Sequence, residues 1–278
     1  MTTAATAPSP TGPAGRHIAL LIDADNISHT KIAGILSELS KDGTPNIRRA
    51  YGDWTNKQLS GWTAKLHEFA IRPIQQFSYS SGKNATDISM VIDAMELLYT
   101  QRLDGFAIAS SDADFTPLVM HLKAAGHAVY GFGERKTPDP FVNACTTFLY
   151  LDTLGAGPSD EPGQTAKPTA AKASAKAPAK PTSKTAEKPT RNLAGDAKLV
   201  TILRGAVEAT ARDDGWALMS IVGSTAKRQA PIDPRNYDMK TFTELFSATG
   251  LFDVTKGADG KVYVADKRSK DRAKQPGV

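Results

Sequence analysis

Ala19–Asn26 reads ALLIDADN, an apolar run that ends abruptly in Asp23, Asp25 and Asn26. An apolar run of strand length, with no polar residue alternating through it, suits a β-strand buried on both faces of a parallel sheet. A carboxylate at the end of such a strand lies at the carboxyl edge of the sheet, where open α/β folds bind their ligands. Phe106–Phe115, FAIASSDADF, repeats the arrangement and ends in Asp112 and Asp114. Between the two, Ser81–Met95 (SGKNATDISMVIDAM) opens a helix with Asp87 near its start. Three separate crossovers can therefore deliver acids to one place. Clustered carboxylates repel one another and are tolerated with a cation among them, and oxygen-only ligands suit Mg²⁺ or Mn²⁺.

Further strands are expected at Ile47–Asp53, Arg72–Ser78, Ala128–Phe132 and Thr147–Leu151, beside His17–Asp23 and Phe106–Ser110. Helical spacing joins Ile32, Ile35, Leu36 and Leu39; Leu59, Trp62, Leu66 and Phe69; Ile88, Val91, Met95 and Leu98; and Phe115, Leu118, Val119 and Leu122. Repeated βα units imply a parallel sheet with helices on both faces, a three-layer α/β/α sandwich. Composition then shifts to an Ala, Lys, Pro, Ser and Thr stretch, which lacks the apolar bulk to offset ordering entropy and reads as a disordered cationic linker. Beyond it, Asp196 suits an N-cap for a helix through Leu199, Val200, Leu203 and Val207. Two more helical segments, ending near Gly250, precede two short strands around a Gly-containing turn, the plan of a small winged-helix-like α+β module. The expected divisions are a disordered N-terminus at 1–15, the α/β domain at 16–153, the linker at 154–195, the second module at 196–266 and a basic tail at 267–278.

The 278 residues carry a formal net charge of +5, a mild excess that favours polyanionic partners. A single cysteine, Cys145, excludes a disulfide framework, and five scattered histidines argue against zinc. No apolar run reaches the roughly 18 residues of a membrane span and the N-terminus lacks a signal peptide's apolar centre, so a cytoplasmic protein is expected.

On the shared rim, Asp23 and Asp112 are the leading metal ligands because both stand directly at strand ends, with Asp87 and Asp114 completing the shell directly or through water. Asp93 lies six residues beyond Asp87 on a different helix face, so the two cannot both face one metal directly; Asp93 either orients a neighbouring group or sits at the surface. Lys57, Lys83, Arg135 and Lys136 are cations suited to a phosphodiester, while Ser110 and Ser111 leave room for hydroxyls and backbone N–H groups to meet a phosphate. Trp54 can stack on a base, whereas Trp62 lies on an apolar helix face and belongs to the core. A cation here would activate water for attack on phosphorus. Two rival readings remain: an aspartyl-nucleophile phosphatase built on the Asp-x-Asp of Asp23 and Asp25, and an RNA-binding regulator without catalysis.

The segments LLIDADN, GKNATDISMVIDAMELLY, ASSDADFTPLVMHLKAAGHAVYGFG and NACTTFLYLD together resemble the NYN domain, in particular the LabA-like branch of the PIN-like ribonuclease superfamily, over roughly Arg16–Asp152. That resemblance implies a parallel sheet of order 3-2-1-4-5, a Mg²⁺ or Mn²⁺ site at Asp23, Asp87, Asp112 and Asp114, a loop or substrate role for Asn26, and a supporting role for Asp93. The second module, with Asp233–Tyr237 reading DPRNY, is similar to the OST-HTH or LOTUS domain. This implies binding of structured RNA, with Arg235, Tyr237 and Lys240 as contacts, or docking of a protein. The combined expectation is a metal-dependent ribonuclease whose linker lets catalytic and RNA-binding modules search independently.

Overall fold

The computed structural model describes residues 15–77, 85–154, 192–269 and 272–277. Lys83 and most of the expected linker lie outside these residues. The first domain is a six-stranded, all-parallel sheet: β1 (His17–Asp23), β2 (Thr44–Gly52), β3 (Arg72–Gln75), β4 (Gly105–Ala109), β5 (Ala128–Gly133) and β6 (Thr147–Tyr150). Their order is β3-β2-β1-β4-β5-β6, so the expected order holds and β6 extends it by one edge strand.

Among the described residues five α-helices cover the sheet: α1 (Ile32–Leu39), α2 (Trp62–Glu68), α3 (Ala85–Thr100), α4 (Thr116–Ala124) and α5 (Asp139–Ala144). Alternation along β1 sends Ile18, Leu20 and Ile22 into the core beneath α1 and α2, and Ala19 and Leu21 into the core beneath α3, α4 and α5. Burial on both faces is why this strand reads as a continuous apolar run. Each such Leu or Ile contributes ~1.5–3 kcal/mol of burial free energy. Because β1 and β4 are central and adjacent, Ile22 pairing with Ala109, their ends bring Asp23 and Asp112 to neighbouring loops.

Of the expected α3 face, Val91, Met95 and Leu98 are partly buried against the core and Ile88 is not. Met90, Ala94 and Leu97 point α3 into the core, whereas Ile88 is 59% exposed, with Ile92 and Tyr99 also on the outside. α3 carries a polar stripe of Thr86, Ser89, Asp93, Glu96 and Thr100 beside a broad apolar surface, so the spacing of the apolar residues alone does not fix which of them are fully buried. A polar anchor helps to fix the orientation: Asp93 accepts hydrogen bonds from both Arg49 and Tyr51 on β2.

The second unit holds α6 (Ala197–Glu208), α7 (Met219–Gln229) and α8 (Phe242–Thr249) with β7 (Ala217–Leu218), β8 (Phe252–Lys256) and β9 (Val262–Asp266). Asp196 caps α6 by accepting from the Leu199 N–H at 3.0 Å, and Gly250 ends α8 at φ 68°. β8 and β9 form the expected hairpin, and the two-residue β7 adds a third antiparallel strand. Among the described residues no helix is long and apolar enough to cross a membrane. The two units touch: Arg235 reaches Glu38 of α1 and Asn236 lies against β6. Independent motion of the two modules was expected from the linker; a docked arrangement is found.

Candidate active site

Asp23, the last residue of β1, is 1% exposed. Its Oδ2 accepts from Asn26 Nδ2 at 2.6 Å and from Ser110 Oγ at 2.9 Å, and its Oδ1 accepts from the Asn26 N–H at 3.3 Å. Burial pushes the carboxyl above its usual value while the bonds from Asn26 and Ser110 pull it back. Ser110 is wholly buried, and its hydroxyl also accepts from the Asp112 N–H at 3.1 Å. One hydroxyl thereby links the ends of β1 and β4. Asp112 in turn caps the following turn, its Oδ1 accepting from the Asp114 N–H at 2.9 Å.

α3 approaches from a third direction. Thr86 donates to Asp25 Oδ2 at 3.4 Å, and Asp87 stands in the first helical turn. A helix N-terminus favours a charged carboxylate by ~0.3–1 kcal/mol. The opposing effects win: burial first, then the carboxylates of Asp23, Asp112, Asp114 and Asp25, push Asp87 up to about 6. Burial and the Asp23 charge likewise raise Asp25. The acids from β1, β4 and α3 thus share one electrostatic field. Among the described residues, however, no three acid, imidazole or thiol side chains converge tightly enough to form a closed cation cage. The arrangement is an open rim of carboxylates that raise one another's proton affinity at Asp25 and Asp87.

The other expected residues divide sharply. Asn26 is at the centre, bonded to Asp23. Ser111 is nearby but accepts from the Glu134 N–H at 2.8 Å, tying the loop after β4 to the loop after β5. Lys57 is exposed beyond the end of β2, and Lys136 pairs with Glu134 at 2.9 Å. Arg135 faces away from the carboxylates: it pairs with Asp152 at 2.9 Å, lies 4.7 Å from the centre of the Tyr150 ring and donates to the Asn236 carbonyl at 2.7 Å. Asp93 holds α3 to β2. Trp54 donates its indole N–H to the Ile74 carbonyl at 3.0 Å, and Trp62 is 1% exposed in the core. In the second unit, Lys240 is exposed, Tyr237 is half-buried, and Arg235 is bound between Asp233 and Glu38.

Sequence reasoning passed over two contributors, Ser110 as the bridge and Asp25 as a neighbour of Asp87. A small hydroxyl residue in the first loop position after β4 was the available signal for Ser110. Gly133 makes the packing of these loops possible, because a Cβ there would meet Thr137 Oγ1 at 2.5 Å and the Ser110 carbonyl at 2.8 Å.

Residues 17–152 match the NYN domain family, and residues 194–264 match the OST-HTH/LOTUS domain. The chain carries an NYN domain followed by an OST-HTH/LOTUS domain. NYN domains are PIN-like nucleases, generally dependent on divalent metal, and OST-HTH/LOTUS modules bind RNA. An uncharacterized protein of Methanocaldococcus jannaschii is 35% identical over 127 residues, 43% of this chain and 48% of that protein. The chain thus spans about half the length of this curated relative. A protein of unknown function from Vibrio parahaemolyticus has a solved structure that superimposes with a TM-score of 0.42 at 18% identity, over 49% of this chain and 93% of its own.

Proposed function

We propose that the chain is a metal-dependent ribonuclease whose NYN domain hydrolyses RNA phosphodiester bonds and whose OST-HTH/LOTUS module binds the RNA. The observation that carries this reading is the position of Asp87, raised to about 6 among the carboxylates of Asp23, Asp112, Asp114 and Asp25. Oxygen-only donors gathered in one electrostatic field fit a hard divalent cation such as Mg²⁺ or Mn²⁺. Asp23, Asp87, Asp112 and Asp114 would hold it. A bound cation would lower the pKa of water and neutralise charge developing on phosphorus.

The chain's own residues do the positioning. Ser110 and Asn26 hold the Asp23 carboxylate in one orientation. Asp112 is held by the Asp114 backbone, and α3 brings Asp87 to the rim. Burial and neighbouring carboxylates raise the proton affinities of Asp25 and Asp87 above the ordinary carboxylate value. Lys57, Lys136 and Lys83 are the candidate cations for the RNA backbone. NYN membership selects nuclease chemistry over the aspartyl-nucleophile reading of Asp23 and Asp25.

The test is cleavage of labelled RNAs, single-stranded and hairpin, by purified full-length protein with Mn²⁺ or Mg²⁺. Asp23→Asn and Asp112→Asn are expected to lower the rate by at least ~100-fold, equivalent to ~2.7 kcal/mol of barrier, while circular dichroism shows the fold retained. RNA bound tightly yet left intact under every metal condition would instead establish an RNA-binding regulator.

A further inference from the structure

The Asp233–Tyr237 segment, which the sequence offered as an RNA contact, faces the NYN domain. The Asn236 side chain donates from Nδ2 to the Phe148 carbonyl at 2.8 Å and accepts at Oδ1 from the Tyr150 N–H at 3.2 Å. Phe148 and Tyr150 are two apart on β6, so their backbone groups project on the same side of the strand. The neighbouring Leu151 N–H bonds inward to the Gly133 carbonyl at 2.9 Å, which leaves the Phe148 and Tyr150 groups on the open edge of the sheet. A carboxamide carries one donor and one acceptor side by side, as a peptide does, and here it substitutes for one residue of a seventh strand. Its orientation is fixed by its partners, because a flipped amide would set N–H against N–H and oxygen against oxygen.

Three more contacts converge on the same short segment. Arg135 donates to the Asn236 carbonyl at 2.7 Å. Arg235 is held by Asp233, with Nε to Oδ1 at 2.8 Å, and extends Nη1 to Glu38 Oε2 at 2.5 Å. Asp233 and Asn236 are only 3% and 6% exposed. An unpaired strand edge is a template for unwanted pairing, and this segment covers it.

We propose that Asp233–Tyr237 is a docking latch that closes the β6 edge of the NYN sheet and joins the two domains into one rigid RNA-binding body. The RNA-facing surface of the module then lies elsewhere on it, where Lys240 and Lys256 are exposed. β6 stands three strands from β1, roughly 14 Å at ordinary strand spacing, so RNA on the module is held at a constant distance from the carboxylates. The latch is independent of the nuclease reading, and its test requires no cleavage.

Hydrogen exchange on the full chain reads it directly. In the native protein the Tyr150 amide is expected to be protected. Asn236→Ala should speed its exchange at least tenfold while the inward-facing Leu151 amide stays protected. A second protein, Glu38→Gln with Arg135→Ala, leaves the module's own sequence untouched and should release the same amide and split thermal unfolding into two transitions. A Tyr150 amide already exchanging freely in the native chain, or unchanged protection in both variant proteins, would overturn the proposal.

Discussion

Ser110 links the two acidic strand ends, since its hydroxyl donates to Asp23 and accepts from the Asp112 backbone. Ser110→Ala keeps the strand and removes the link. The expected loss is ~10–100-fold in Mn²⁺ affinity, the usual effect of removing a group that orients a ligand, measurable by calorimetric titration. Asp87 carries a different signature. Its carboxyl is raised from 3.8 to about 6 in the folded protein, so ionising it costs folding free energy at all pH values above about 6. That cost declines as pH falls below about 6 and is gone below the unfolded value near 3.8. Because Asp87 is partly exposed, screening leaves ~1 kcal/mol of the full effect. Asp87→Asn is therefore expected to raise the melting temperature of metal-free protein by a few degrees at pH 7, with the gain vanishing at pH 4. A thermal scan across pH in the presence of chelator checks both sign and window.

At the scale of elements, α3 matters because it delivers Asp87 to a rim made by β1 and β4. Its register on the sheet is set at Asp93, where Arg49 and Tyr51 of β2 both donate to one carboxylate. Asp93→Ala leaves a partly buried guanidinium and a buried hydroxyl without that partner, at an expected cost of ~2–4 kcal/mol in urea unfolding. Activity should fall with it, as Asp87 loses its position. The helical pattern in the sequence identified α3 and the partly buried Val91, Met95 and Leu98, but not the fully buried Met90, Ala94 and Leu97. Ile88, Ile92 and Tyr99 are exposed although apolar, while Met90, Ala94 and Leu97 are buried, and the bonds of Asp93 to β2 help to fix that orientation. By contrast β1 and β4 were legible directly, because a strand buried on both faces requires apolar residues at every position.

Across the whole molecule, the docking of the two domains depends on ion pairs that titrate. Burial raises the Glu38 carboxyl, but bonds from Arg235 and Lys41 outweigh it and hold it below its usual value; the same balance with Arg235 lowers Asp233. For depressed carboxylates the stabilisation is complete above the unfolded values near 4.5 and 3.8, and is lost as pH falls through the folded ones. Protection of the Tyr150 amide is thus expected to be full above the unfolded values of 4.5 and 3.8 and to weaken progressively as pH falls below them. Nothing in the sequence pattern marked this arrangement. A long Ala, Lys and Pro stretch between two domains suggests independence, and DPRNY is equally compatible with RNA contact and with docking.

Sequence alone determined the parallel sheet, the sequence positions of Asp23, Asp87, Asp112 and Asp114, and the presence of a second helical module. These follow from local rules: apolar continuity in buried strands, helical spacing, and acids placed at strand ends and helix starts. Only the tertiary structure decided which charged groups meet. Arg135 and Lys136 are adjacent in sequence, yet Arg135 belongs to the domain interface and Lys136 to a surface pair with Glu134. Ser110 looked like a space-saving residue and proves to connect two acids. A long side chain can reach several partners, and which one it meets is set by packing between segments far apart in sequence, information that no local pattern contains.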